Sequence, residues 1–156
     1  MIASELSFQI RRTMGIEPTA EQAVAIDTFA QYAADTDDHA VMVLTGAAGT
    51  GKTTIASAIV RTMVKLQQRV MLLAPTGRAA KVFALNSGHA AFTIHRKIYR
   101  QKSFTGDMSG FNLNANLFRD TLFVVDEASM VSNEGLGEAN FGSGRPWPTR
   151  RATALI

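Results

Sequence analysis

The 156-residue sequence contains no cysteine. Disulfides are thereby excluded, and so are zinc or iron–sulfur sites held by thiolates; a reducing cytoplasm fits this usage. Long hydrophobic runs are also missing. The most apolar stretches fall far short of the ~20 residues that a membrane-spanning helix needs. The opening segment carries Arg11 and Arg12 but no apolar core ahead of a cleavage site. A soluble, cytoplasmic protein with no membrane partner is expected. Charge of one sign is scarce. The net charge is +3, of which Arg145, Arg150 and Arg151 against Glu138 contribute +2. The remainder is close to neutral, so any basic footprint for nucleic acid has to be local. No internal repeat is present. What the chain does have is 46% apolar residues, enough for one ordinary core and too many for a disordered polymer.

The pattern of those apolar residues predicts alternating helices and strands. Thr19-Ala20-Glu21-Gln22 has capping-box spacing, and Ala23, Ile26, Ala30 and Ala33 follow at helical intervals. Asp35 to Asp38 closes that helix in a solvated turn. Val41 to Thr45 is a short continuous apolar run ended by glycine, which reads as a buried parallel strand. A helix is expected from Lys52 to about Gln67, with Ile55, Ile59, Thr62, Met63 and Leu66 on one face. Val70 to Ala74 reads as a second strand, Gly77 to about Leu85 as a helix, and Thr93 to Tyr99 as a short helix. Lys102 to Asn116 is polar and reads as a loop, and Leu122 to Val125 is a third apolar strand. The order implies an α/β fold, a parallel sheet flanked by helices. Residues 1–134 form this unit. Residues 135–156 hold four glycines, two prolines flanking Trp147 and three arginines without periodicity, and are expected to be largely unstructured.

One segment carries a specific chemistry. Gly46-Ala47-Ala48-Gly49-Thr50-Gly51-Lys52-Thr53 matches the phosphate-loop pattern G-x-x-x-x-G-K-[ST]. Such a loop wraps a phosphate with inward-pointing backbone N–H groups, which glycine permits because it lacks Cβ and accepts positive φ. The helix that follows directs its dipole and free N–H groups at the same anion. Lys52 supplies a mobile positive charge for the β- and γ-phosphates, and the Thr53 hydroxyl is a ligand for Mg²⁺. The loop lies between an expected strand and an amphipathic helix, the context this chemistry requires.

Asp126-Glu127 ends the third strand, 74 residues after Lys52. An aspartate there can hold Mg²⁺, and the adjacent glutamate can orient or deprotonate an attacking water. On its own such a pair is an ordinary solvated strand end; behind a phosphate loop it is a candidate catalytic pair.

Further segments extend the pattern. Ala74-Pro75-Thr76-Gly77-Arg78-Ala79-Ala80-Lys81, Thr93-Ile94-His95 and Asp126-Glu127-Ala128-Ser129 follow Gly46–Thr54 in order, with Thr19–Gln22 upstream. From Thr19 to Ser132 the chain resembles the first RecA-like motor domain of the RecD-like branch of superfamily 1 helicases. The resemblance implies a P-loop NTPase fold, ATP and Mg²⁺ as cofactors, and ATP-driven 5′-to-3′ movement on single-stranded DNA, with RNA left open. It implies that Gln22 reads the adenine edge, alongside its capping role. Gly46, Gly49, Thr50, Gly51, Lys52, Thr53 and Thr54 would hold the nucleotide, Thr53 and Asp126 the metal, and Lys52, Asp126 and Glu127 the chemistry. Thr76, Gly77, Arg78, Lys81, Thr93 and His95 would contact DNA. Thr76 also suits a helix cap, and Phe83, Phe92 and Tyr99 suit core packing more than base stacking.

The sequence also departs from that family. The Gly-Asp-x-x-Gln-Leu-Pro-Pro motif and the second RecA-like domain, with its arginine fingers, are not found after Ser132. A fragment, a truncated product or a frame shift near Gly137 is expected, giving an incomplete sheet. In the family, the strand bearing that motif separates the phosphate-loop strand from the Asp-Glu strand. Open strand edges then predict marginal stability and self-association. Weak nucleotide binding is the most expected of this piece alone. The other readings are a different P-loop ATPase of DNA metabolism, or an inactive remnant serving as an interaction module.

Overall fold

The computed structural model describes residues 2–35, 41–101, 111–113, 120–130 and 152–154, with backbone alone at 98–101, 111–113 and 152–154. Helix α1 (Ala3–Met14) opens the chain and stops at Gly15, whose φ of 74° suits a residue without Cβ. Helix α2 (Ala20–Ala34) begins at the expected capping box. The Thr19 hydroxyl accepts from Gln22 N–H, and the Gln22 side chain accepts from Thr19 N–H. Helix α3 (Lys52–Lys65) follows the glycine loop, and α4 (Gly77–Ser87) is capped by the Thr76 hydroxyl, which accepts from Ala79 N–H.

Helix α1 was not expected from the sequence. Its Leu6 and Ile10 are buried in the same core as Ile26 and Phe29 of α2 and Ile55 and Ile59 of α3. At the edge of that contact, Arg11 donates to both carboxylate oxygens of Asp27 at 2.8 Å, and Ser7 donates to the same group. This bidentate pair fixes the register of α1 on α2.

The main sheet has the order β2-β1-β5-β6, all parallel. Strands β1 (Arg69–Ala74) and β5 (Thr121–Val125) are its centre, and β2 (Ala91–Thr93) flanks β1 after the α4 crossover. Leu72, Leu73, Leu122, Phe123 and Val124 are all buried. Consecutive buried residues mean that both faces of these strands are covered, as parallel sheets require. The expected helix at 93–99 is shorter, α5 (Ile94–Ile98). The expected loop at 102–116 contains β4 (Phe111–Leu113), antiparallel to β3 (Tyr99–Gln101). Residues 102–110 and 114–116 of that loop, and 36–38 of the turn after α2, lie outside the described residues.

The expected first strand is corrected. Val41 to Thr45 joins no sheet among the described residues. Its side chains still alternate: Met42 is buried and Leu44 packs on the core, whereas Val41 and Val43 are exposed. A strand exists only where a neighbour supplies ladder hydrogen bonds. The outer edge of β5 is taken instead by β6 (Ala152–Ala154), in register Phe123↔Ala152 to Val125↔Ala154. The apolar run therefore packs without pairing. Of residues 135–156, only β6 is described.

Candidate functional site

The parallel strands bring three sequence segments to one edge. Beyond the carboxyl end of β1 stand Thr76, Gly77 and Arg78; beyond that of β5 stand Asp126 and Glu127; Thr93 ends β2 in register with Ala74. This is the edge at which open α/β sheets place ligands. Asp126 N–H donates to Leu73 O at 3.0 Å, so the acidic pair is anchored to β1 as well as to its own strand.

The glycine loop is shaped for close backbone approach. Gly49 and Gly51 have φ of 81° and 85°. A Cβ at Gly46 would lie 2.9 Å from Thr50 Oγ1, and one at Gly51 would lie 2.6 Å from Gln22 Nε2. Thr50 ties the loop from within, its hydroxyl donating to Ala47 O at 2.8 Å. Gly51, the residue before α3, offers no side-chain cap. The first-turn N–H groups of Lys52, Thr53 and Thr54 are therefore directed out of the helix without intrahelical partners. Thr54 is exposed on that turn, while Lys52 and Thr53 are half-buried. The Lys52 ammonium folds back over the loop, donating to Gly46 O at 2.6 Å and Ala47 O at 2.8 Å.

Asp126 titrates in a field to which Lys52 contributes. Burial pushes the Asp126 carboxyl above its ordinary pKa, while the Glu127 backbone N–H and the Lys52 charge pull the other way. A half-buried carboxylate at this strand end is an oxygen donor available to a cation. Among the described residues no three His, Asp or Glu side chains cluster as a metal cage. That donor set fits Mg²⁺, which takes one or two protein ligands together with phosphate oxygens and water. Glu127 is exposed and has φ of 55°. Left-handed backbone at a residue with Cβ costs about 1–2 kcal/mol and is common at functional turns.

The remaining candidates divide. Thr76, Gly77, Arg78, Lys81 and His95 are exposed, near the same sheet edge. Thr76 is committed as the cap of α4, and the Thr93 hydroxyl accepts from Arg96 N–H at 3.3 Å. Phe83 is wholly buried, as core packing required, and the Lys97 ammonium lies 3.9 Å from the centre of the Phe92 ring. The Tyr99 side chain lies outside the described residues. The Gln22 amide does something that spacing did not show: its Nε2 donates to Thr50 O at 3.0 Å. No local pattern links positions 28 residues apart, and only the packing of α2 beside the loop reveals the bond.

Residues 17–139 match the family model of the AAA domain. The chain belongs to the AAA domain family. Within it, the RecD-like resemblance of the motifs is supported by identity. The chain is 34% identical over 114 residues to an ATP-dependent RecD2 DNA helicase of Deinococcus radiodurans, a match covering 72% of this chain and 14% of that protein. It is 33% identical over 129 residues to an uncharacterized protein of Methanocaldococcus jannaschii, covering 75% of this chain and 11% of the relative. The chain thus spans a small fraction of the curated relatives it matches. This AAA-family member has an α/β P-loop fold with an incomplete sheet. Helix α1 lies ahead of the matched residues. No described helix is long and apolar enough to cross a membrane.

Proposed function

We propose that this chain is the nucleotide-binding part of an ATP-dependent DNA helicase motor that moves 5′ to 3′ along single-stranded DNA. The observation that carries the reading is the glycine loop itself, with Gly49 and Gly51 at φ of 81° and 85° and the Lys52 ammonium folded over the Gly46 and Ala47 carbonyls at the start of α3.

The residues divide the work. Loop amides from Gly49 to Thr53 hold phosphate oxygens. Lys52 exchanges the Gly46 and Ala47 carbonyls for the β- and γ-phosphates. Thr53 and Asp126 would hold Mg²⁺, which would supply positive charge to offset that of the phosphoryl group. Glu127 orients the attacking water. Gln22 meets the adenine edge through the second N–H and second lone pair that its present bonds leave free. Arg78 and Lys81, joined by Thr76, Gly77, Thr93 and His95, meet the DNA backbone; phosphate contacts of this kind position a strand without reading its sequence.

The test has two levels. On this chain, titration with a fluorescent ATP analogue and Mg²⁺ is compared for the native protein, Lys52→Ala and Asp126→Asn. Losing hydrogen bonds from a charged group is worth about 1.5–3 kcal/mol, so Lys52→Ala should weaken binding by roughly 10- to 150-fold. Asp126→Asn should remove the dependence on Mg²⁺. Equal affinity in Lys52→Ala would end the assignment. On the complete gene product, single-stranded DNA should stimulate ATP hydrolysis. ATPase activity indifferent to DNA would favour a P-loop ATPase of another kind.

A further inference from the structure

The Gln22 side chain joins the start of α2 to the glycine loop. Its Oε1 accepts from Thr19 N–H at 3.1 Å, closing the cap of α2. Its Nε2 donates to Thr50 O at 3.0 Å, in the middle of the glycine loop. The cap decides which end of the amide faces which way: with Oε1 held at Thr19, Nε2 faces the loop. Gly51 permits this approach, since a Cβ there would stand 2.6 Å from Nε2. That glycine is needed twice, for its φ of 85° and for the space it leaves to Gln22.

We propose that Gln22 is a positioning residue for the phosphate loop, acting whatever base the nucleotide carries. The peptide unit between Thr50 and Gly51 is planar and trans, so its C=O and N–H point in opposite directions. Holding the Thr50 carbonyl toward α2 aims the Gly51 N–H away from α2. The loop amide is thus oriented before an anion arrives, and less ordering remains to be done on binding. Thr50 is held from the other side by its own hydroxyl on Ala47 O. Together the two bonds fix the Thr50–Gly51 peptide, one residue ahead of α3. The effect on affinity rests on the phosphate-binding reading above; the loop geometry does not.

Gln22→Glu separates the roles. Glutamate serves as well as glutamine in a capping box, so α2 keeps its cap. It has no N–H to donate, and its second oxygen faces the Thr50 carbonyl, acceptor against acceptor. In the ligand-free chain, backbone amide exchange should accelerate at 49–53 and stay unchanged through α2. Unchanged exchange in the loop would overturn the proposal, and this readout needs no nucleotide. With Mg²⁺ present, GTP and inorganic tripolyphosphate should both bind Gln22→Glu more weakly by one common factor, roughly three- to tenfold, the worth of one lost hydrogen bond, and ATP by at least that factor. A loss confined to ATP would overturn the proposal in favour of base reading alone. If the native chain binds none of the three, the phosphate-binding reading fails, while the exchange data still decide whether Gln22 holds the loop.

Discussion

Truncating Ile10 to alanine is the most informative test of how this partial domain is held together. Ile10 is wholly buried, on a helix that precedes the family match, and it packs into the core formed with α2 and α3. The change removes three carbon groups. At ~0.8 kcal/mol for each, the transfer contribution is roughly 2.4 kcal/mol. A cavity that the neighbours do not close raises this toward the upper end of the ~2–5 kcal/mol seen for such changes. Ile10 shares one buried cluster with Leu6, Ile26 and Phe29, so little collapse is expected and ~3–4 kcal/mol is the better figure. That is a large share of the ~5–15 kcal/mol of a complete domain, and more of an incomplete one. Urea unfolding followed by far-ultraviolet circular dichroism should show the midpoint falling by roughly 1–3 M at an unchanged slope. A fall corresponding to less than ~1 kcal/mol would show that α1 merely rests on the surface, and the argument from its burial would be wrong.

Two other perturbations address the remaining structure. Ser7 and then Arg11 lower the pKa of Asp27 below its ordinary value. A lowered folded-state pKa stabilises above the unfolded value and is lost as pH falls through the folded one. Native protein should therefore lose more melting temperature below about pH 4 than Asp27→Asn does, by an amount equivalent to ~0.2–1 kcal/mol because the pair is partly exposed; parallel curves would refute the staple. Ending the chain at Thr149 removes β6 and bares the outer edge of β5. Sedimentation velocity should then show more self-association at equal concentration, since an unpaired edge templates another chain; two identical monomers would refute it.

What could be read from the residue order alone was everything governed by a few neighbouring positions. Thr19 with Gln22, Thr76 with Ala79, the glycines at 49 and 51, and the helices at 52 and 77 all depend on bonds reaching three or four residues. Local spacing specifies such features because the partners are fixed by the chain itself. Helix α1 is not legible in the sequence because exposed Phe8 within it and exposed Ile2 at its cap blur the apolar stripe, and its buried Leu6 and Ile10 are explained only by α2 and α3. Val41 to Thr45 has the composition of a strand and even its alternation, yet pairing depends on a neighbour, and this segment joins no sheet among the described residues. The Gln22 bond to Thr50 spans 28 residues, and the field of Lys52 at Asp126 spans 74. The sequence alone determined a loop able to bind phosphate. Only the tertiary packing decided what stands beside it, because contacts between distant segments depend on how whole elements dock.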